Sequence, residues 1–579
     1  MTKETISQFM WGYQEHFQLG LKSLAEKVLE TLGVDAEVKT FLVGILVADE
    51  QRGTSGDTYP VCVQPEEDTA LVALFASART KVLAAYPSHP QHMMFYGDAV
   101  TMREKPERIW DLVVHEQITS LLAAQDGAQG VRSFAGAPVR IGDYRVVPVI
   151  QLSEEIFRSH PPLLRAVADN MAIQQSLIHA AIFAILNESK RKLQLPDPGR
   201  GITDGLRSAE ELVSVAASSF LGAPGLLIGK ELPDFDLNRV LNQISLMRYE
   251  RDEGVGRLLL IDKAHPKLSY IFRLETPVPL RDPRWARKIL EMATGDAAVI
   301  ADTKQIHGIG TLDPSHAPED EDAFWIDFVG HHQWDVRKGE QVLMRTRYGV
   351  PKLPQELIAK ARFIDNLVRQ FDACDGEALW TLFNTLLSQD RGAMLMIAED
   401  AATEALRLKN QGTIIAPTRA DAALIACAAR IDGSILVDPM GLCHAIGIIL
   451  DGPASPGCSA ARGSRYNSAI RYADASEAAR VAIVISDDRT IDIHPLLRKR
   501  IDRDLLERQL VALETATIDD YYRPRMFVLD HRFYLTPAQC DRANAALERI
   551  RKLPAEVGRI RFVESPLTPN PEMNESYYL

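Results

Sequence analysis

Two apolar runs that open on glycine, Gly256–Ile261 and Gly392–Ile397, each precede an aspartate by forty positions, Asp296 and Asp432. A short apolar run led by glycine reads as a strand covered on both faces. The parallel continues beyond the aspartates. Asp296-Ala-Ala-Val-Ile-Ala-Asp302 matches Asp432-Gly-Ser-Ile-Leu-Val-Asp438, and His307-Gly-Ile-Gly310 matches His444-Ala-Ile-Gly447 with a shift of one residue. Repetition over this length predicts an internal duplication, residues 250–350 folding like the later segment. Chance similarity between two apolar α/β strands is the competing explanation.

Between Arg391 and His494 strand-like and helix-like segments alternate. Gly392–Ile397 is followed by Glu399–Lys409 with helical spacing, then by alanine-rich Asp421–Ala429. Ile431–Val437, Ala445–Leu450 and Val481–Ile485 are β-type runs. Such alternation implies an α/β layer, with ligand groups at strand ends and on connecting loops. Two polar segments stand in that context, Asp432-Gly433-Ser434 and Gly463-Ser464-Arg465-Tyr466-Asn467. A carboxylate can hold a divalent cation against a triphosphate. A glycine-led basic turn can offer N–H groups and a guanidinium to phosphate oxygens.

On these residues the segment 391–494 resembles the diadenylate cyclase domain, the nucleotidyltransferase module shared by the DNA-integrity-scanning protein and the membrane-bound bacterial cyclases. Gly392-Ala393 stands at the family's Gly-Ala strand start, and Asp432-Gly433-Ser434 at its Asp-Gly-Ala motif. Gly463-Ser464-Arg465-Tyr466-Asn467 stands at Gly-Thr-Arg-His-Arg, and Ser486-Asp487 at a strand ending in Ser-Glu. The resemblance implies condensation of two ATP into cyclic di-AMP, a second messenger, with release of pyrophosphate. It implies an active site formed where two such domains meet, hence a homodimer or larger even oligomer. It assigns Asp432 to a Mg²⁺ or Mn²⁺ ion and to activation of the 3′-hydroxyl, and Gly433 to close approach of the nucleotide. Ser434, Gly463, Ser464, Arg465, Tyr466, Asn467, Ser486 and Asp487 become nucleotide contacts. There are departures: Tyr466 and Asn467 remove a guanidinium, for which Arg471 on the following helix is a candidate substitute, and Asp487 is one methylene shorter than glutamate. Three readings stay open: a cyclase with a rewired phosphate site, an enzyme with another nucleotide product, or a nucleotide binder without turnover.

The earlier copy lacks this chemistry. Ala297 replaces the glycine, and no Gly-Ser-Arg turn occurs in Phe328–Arg347, where Val329-Gly330-His331-His332 takes its approximate place. The region upstream of the cyclase-like segment resembles the amino-terminal sensor-like modules fused to bacterial diadenylate cyclases, which implies a synthase under sensor control.

The expected fold is therefore multidomain α/β, a mixed-sheet cyclase domain with a degenerate copy upstream. The domains read as an α/β module at 1–150, a helical connector at 151–200 and the sensor-like copy at 201–350. A helical linker at 351–390, the cyclase-like domain at 391–495 and an extension at 496–579 follow. That extension is expected to carry a strand at Met526–Leu529, a helix starting at Pro537 and a disordered tail from Pro566. A net charge of −13 argues against broad binding to nucleic acid or an anionic membrane. Six scattered cysteines without zinc or disulfide spacing, and an opening Met-Thr-Lys-Glu-Thr without signal-peptide shape, point to the cytoplasm. Met171–Leu186, broken by Gln174, Gln175 and His179, reads as a buried helix rather than a membrane span. Gly452–Gly457 lacks the Lys-Ser/Thr of a P-loop and reads as a flexible loop over the nucleotide site. The acidic loop Asp313–Asp322 is expected to be exposed.

Overall fold

The computed structural model describes residues 8–34, 36–47, 59–164, 173–200, 207–229, 234–248, 255–354, 358, 360–387, 389, 392–458, 463–486, 491–517, 521–552 and 565–579. It divides into two compact units, Met1–Gln355 with Ala512–Phe527 and Ala543–Pro566, and Glu356–Val511 with Val528–Arg542 and Leu567–Leu579.

The first unit holds two sheets. Strands β1 (Lys39–Leu46), β2 (Val61–Gln64), β3 (Val131–Ala135), β4 (Val139–Ile141) and β5 (Tyr144–Ser153) form an antiparallel sheet in the order β2-β1-β5-β3, with β4 also on β5. The helix Ala99–Gln129 buries Ile109, Val113, Val114 and Ile118 in one core with Phe41, Val43 and Val147 of that sheet. Asp98 starts it by accepting the Val100 and Thr101 amides. The helices Gln14–Thr31, Leu177–Leu193 and Ala209–Gly229 share a core with the second sheet, so the expected connector at 151–200 is part of a packed layer. Ala209–Ile228 is apolar and long enough to cross a bilayer. Its buried Leu212, Val213, Ala216, Phe220 and Leu221 make it a core helix of this unit.

The second sheet contains β6 (Val255–Ile261), β7 (Leu268–Pro279), β8 (Ala298–Ala301), β9 (Gln305–Leu312), β10 (Ala323–Gly330), β11 (Gln333–Lys338), β12 (Gln341–Arg347) and β13 (Val350–Lys352). Their order is β13-β12-β11-β10-β6-β8-β9-β7. The second unit is built on β14 (Ala393–Ala398), β15 (Thr413–Arg419), β16 (Ser434–Val437), β17 (Leu442–Ile448), β18 (Arg480–Ile485) and β19 (Ile491–His494), ordered β15-β17-β16-β14-β18-β19.

These two sheets have one topology. β6 and β8 pair parallel, as do β14 and β16. Every other neighbouring pair in the six-strand pattern is antiparallel in both: β6 with β10, β8 with β9, β7 with β9, and β10 with β11 correspond to β14 with β18, β16 with β17, β15 with β17, and β18 with β19. Small side chains repeat as well. Asp302 accepts the Lys304 and Gln305 amides and meets His307 Nε2 at 2.8 Å. Asp438 accepts the Met440 and Leu442 amides and meets His444 Nε2 at 2.9 Å. The chain is thus a multidomain α/β protein in which residues 255–338 repeat the cyclase-like fold.

The copy departs in its connections. Between β9 and β10 it has only the short turn Pro318–Asp320, where the later sheet inserts the helix Ser464–Asp474 between β17 and β18. The counterpart of the phosphate turn is therefore the acidic loop Asp313–Asp322. Val329-Gly330-His331-His332, expected in that place, instead closes β10 and turns into β11.

Other expectations change too. Residues 351–390 are no free linker: helices Lys360–Gln370 and Gly376–Leu387 put Phe363, Leu367, Leu379, Leu382 and Phe383 into the core under β14, β16 and β18. Met526–Leu529 lies in the helix Tyr522–Asp530. The tail is ordered, with Tyr577 and Tyr578 buried, Tyr578 bridging to Ile501, and the Tyr578 hydroxyl donating to the Tyr534 carbonyl at 2.6 Å. Its aromatic rings supply apolar area that the polar residues before them conceal.

Candidate nucleotide site

Strand register brings the four motif segments to one sheet edge. Met394 of β14 pairs with Ser434 of β16, and Ala393 pairs with Ile485 of β18. Gly392, Asp432-Gly433 and Ser486 therefore lie just beyond neighbouring strand ends. The helix Ser464–Asp474 starts at the same edge, with Gly463 as an N-cap that offers no side-chain acceptor. Arg465, in its first turn, donates from Nη2 to Asp432 Oδ1 at 3.1 Å. The Asp432 side chain is 98% exposed and that of Arg465 36%, so the pair faces solvent.

Gly433 has φ +114°, and a Cβ there would meet the Gly447 carbonyl carbon at 2.4 Å. Its smallness lets β16 and β17 interlock behind Asp432 and aims the preceding carboxylate outward. The Gly447 backbone occupies the space that a Cβ at Gly433 would need.

Ser434 does not join this surface. It is fully buried, with its hydroxyl 3.4 Å from the Ile435 carbonyl. It is the first residue of a strand covered on both faces, so its side chain faces the core. Gly463 and Ser464 are exposed, while Arg465, Tyr466, Asn467 and Ser486 are half-buried. Asp487 lies outside the described residues. Arg471 sits further along the helix, its backbone against Gly452, and does not fall on the first turn beside Arg465.

A charged network missed by sequence reasoning supports the helix. The Tyr472 hydroxyl donates to Glu404 Oε2 at 2.8 Å. Arg480 reaches Asp400 at 2.6 Å and Glu404 at 3.2 Å, while Arg407 joins Glu404 to Asp451. Burial works to raise the Glu404 carboxyl, but hydrogen bonds from Arg407 and Tyr472 and the Arg480 charge outweigh it and hold it below the usual range. The loop Gly452–Gly457 is anchored, not loose. The Ser455 hydroxyl donates to Asp474, which also binds His494 Nε2 at 2.7 Å. No motif announced these partners; apart from Arg407 and Glu404, three residues apart, each pair is separated by 19 or more positions.

A hard divalent ion accepts one or two carboxylates and completes its shell with phosphates and water. The exposed Asp432 carboxylate fits that minimal donor set once the Arg465 guanidinium, which is no metal donor, turns from it to phosphate.

Residues 382–494 match the family model described as the DisA bacterial checkpoint controller nucleotide-binding domain. The chain carries a domain of the diadenylate cyclase type. Residues 10–221 match "Probable sensor domain DACNG" and residues 235–340 match "Probable sensor domain DACNH". The cyclase-type match begins within the helix Gly376–Leu387, so the family domain takes in part of the expected linker. Among solved structures, a double cysteine mutant of DacA from Staphylococcus aureus is similar at 16% identity, over 25% of this chain and 96% of that one, with TM-score 0.18. No curated protein matches the chain.

Proposed function

We propose that the chain is a diadenylate cyclase, condensing two ATP into cyclic di-AMP with release of pyrophosphate under control of its amino-terminal sensor region. The observation that carries this is the meeting of Asp432 and Arg465 at 3.1 Å on an open sheet edge, inside the segment matched to a nucleotide-binding domain. Arg465 and the amino end of its helix attract the triphosphate and neutralise charge on the transferring phosphoryl group. Asp432 holds the site's carboxylate where a 3′-hydroxyl can be oriented. A Mg²⁺ or Mn²⁺ ion on Asp432, when bound, supplies a lowered hydroxyl pKa and further charge neutralisation. Nucleotide binding must part the Asp432–Arg465 pair, and the exposure of both groups keeps that cost small.

Each of two nucleotides attacks the other, so one such site cannot close the ring. Two chains meeting through their 382–494 domains complete it, as a homodimer or larger even oligomer in the cytoplasm. Tyr466 and Asn467, in place of a second basic residue, favour one alternative, a sensor that binds nucleotide without turnover. Purified chain incubated with ATP and Mn²⁺ should yield cyclic di-AMP and pyrophosphate on chromatography, and Asp432→Asn should reduce product at least a hundredfold. Saturable ATP binding without product would select the alternative, and full turnover by the variant would remove Asp432 from the chemistry.

A further inference from the structure

The first copy differs most from the second at the loops β6–β7 and β9–β10. In the second unit those positions hold the helices Ala401–Arg407 and Ser464–Asp474, tied by Arg480, Asp400, Glu404 and Tyr472. The copy has neither helix. At the equivalent edge, where Ala323 pairs with Ile261 as Arg480 pairs with Ala398, stand His265, His316 and Asp322.

His265 Nε2 lies 3.2 Å from Asp322 Oδ2, and His316 Nε2 lies 2.8 Å from Asp322 Oδ1. One donor atom from each residue falls within 4.8 Å of the other two. The imidazole side chains are 10% and 7% exposed, while the carboxylate at 30% keeps one side open. The two loops are already joined without it. Lys267 donates from Nζ to the Ser315 carbonyl at 2.9 Å and accepts the Asp313 amide at 2.9 Å.

We infer that this His-His-Asp cluster binds a divalent transition-metal ion of the Zn²⁺ class, within the segment matched to a sensor domain. Two imidazoles and one carboxylate suit a borderline ion better than Mg²⁺ or Ca²⁺, which prefer all-oxygen shells. Tetrahedral bonds of about 2 Å place donor atoms about 3.3 Å apart, near the two imidazole–carboxylate separations of 3.2 and 2.8 Å, and the three donors together span no more than 4.8 Å. A fourth position is left for water or a small anion. The Lys267 amide donates to His265 Nδ1 at 3.2 Å, which places the ring proton on Nε2 toward Asp322 in the ion-free chain. An ion on Nε2 displaces that proton, which moves to Nδ1 at the expense of this single amide contact. The ion then ties together two loops that have no helices to hold them.

The test uses the full chain, stripped with a chelator and titrated with Zn²⁺ against a chromophoric competitor. One equivalent should bind and raise the thermal midpoint of unfolding, and His316→Gln and Asp322→Asn should each weaken that binding at least tenfold. Co²⁺ added to the unmodified chain should give the visible absorption of a tetrahedral site, discharged by Zn²⁺, so the assignment does not depend on the variants folding. Absence of a bound equivalent and of the Co²⁺ band, or unchanged affinity in both variants, would overturn it and leave a hydrogen-bonded cluster only.

Discussion

At the residue scale, Asp432 and Gly433 are neighbours with opposite duties. The carboxylate stands almost wholly in solvent, and its pair with Arg465 belongs to the class worth between nothing and about 1 kcal/mol. Asp432→Asn should therefore leave the unfolding midpoint nearly unchanged while product formation falls. Gly433→Ala forces a left-handed backbone on a residue with a Cβ and drives that Cβ into Gly447. It should destabilise the chain by about 2 kcal/mol or more, visible as a lower denaturant midpoint. A Gly433→Ala protein as stable as the parent would show that β16 and β17 have room to separate. Ser434 illustrates what a motif hides. Its place in the sequence puts it beside the site, and its place in a doubly covered strand turns its hydroxyl inward.

At the element scale, the helix Ser464–Asp474 is a piece the later sheet has and the copy lacks, and its support is charged. Glu404 is held below its usual range in the folded state. A group with a depressed folded pKa stabilises the fold above its unfolded value, about 4.3 for glutamate, and loses that contribution as pH falls through the folded value. Asp451 shifts the same way through hydrogen bonds from Arg407, which outweigh the opposing effect of burial, and Asp474 through those from Ser455 and His494 against a larger burial effect. Unfolding midpoints measured from about pH 5 down to about pH 3 should decline, and Glu404→Gln should flatten that decline while lowering the midpoint at neutral pH. A variant whose pH profile superimposes on the parent's would take Glu404 out of the acid response. The strands differ in how plainly they were written. β14 and β18 are apolar throughout and fully buried, so their runs stand out. β15 is an edge strand with mostly exposed residues and Pro417, and β7 is exposed along most of its length. Neither carries the apolar signal that strand recognition relies on.

At the scale of the whole molecule, the duplication separates a fold from a function. Asp296 lies two residues before β8 as Asp432 lies two before β16, but Ala297 follows it and, among the described residues, no α-helix stands between β9 and β10. Asp296→Asn should leave cyclic di-AMP production within about twofold of the parent in the same chromatographic assay, and a large loss would make the first copy a working half-site. If two chains build each active site, specific activity should rise with chain concentration until the dimer saturates. Activity per chain that stays constant on dilution, with sedimentation showing monomers, would contradict shared sites.

The apolar strands of the cyclase-like segment, the repeat and the Asp-Gly and Gly-Ser-Arg segments were readable from residue types and spacing, because local periodicity and glycine placement act over a few residues. Sequence could not reveal that Ser434 faces inward, that 351–390 belongs to a core, that the tail is held, or that His265, His316 and Asp322 converge. Those facts depend on which distant surfaces pack together, and burial and long-range hydrogen bonding leave no local trace in the chain.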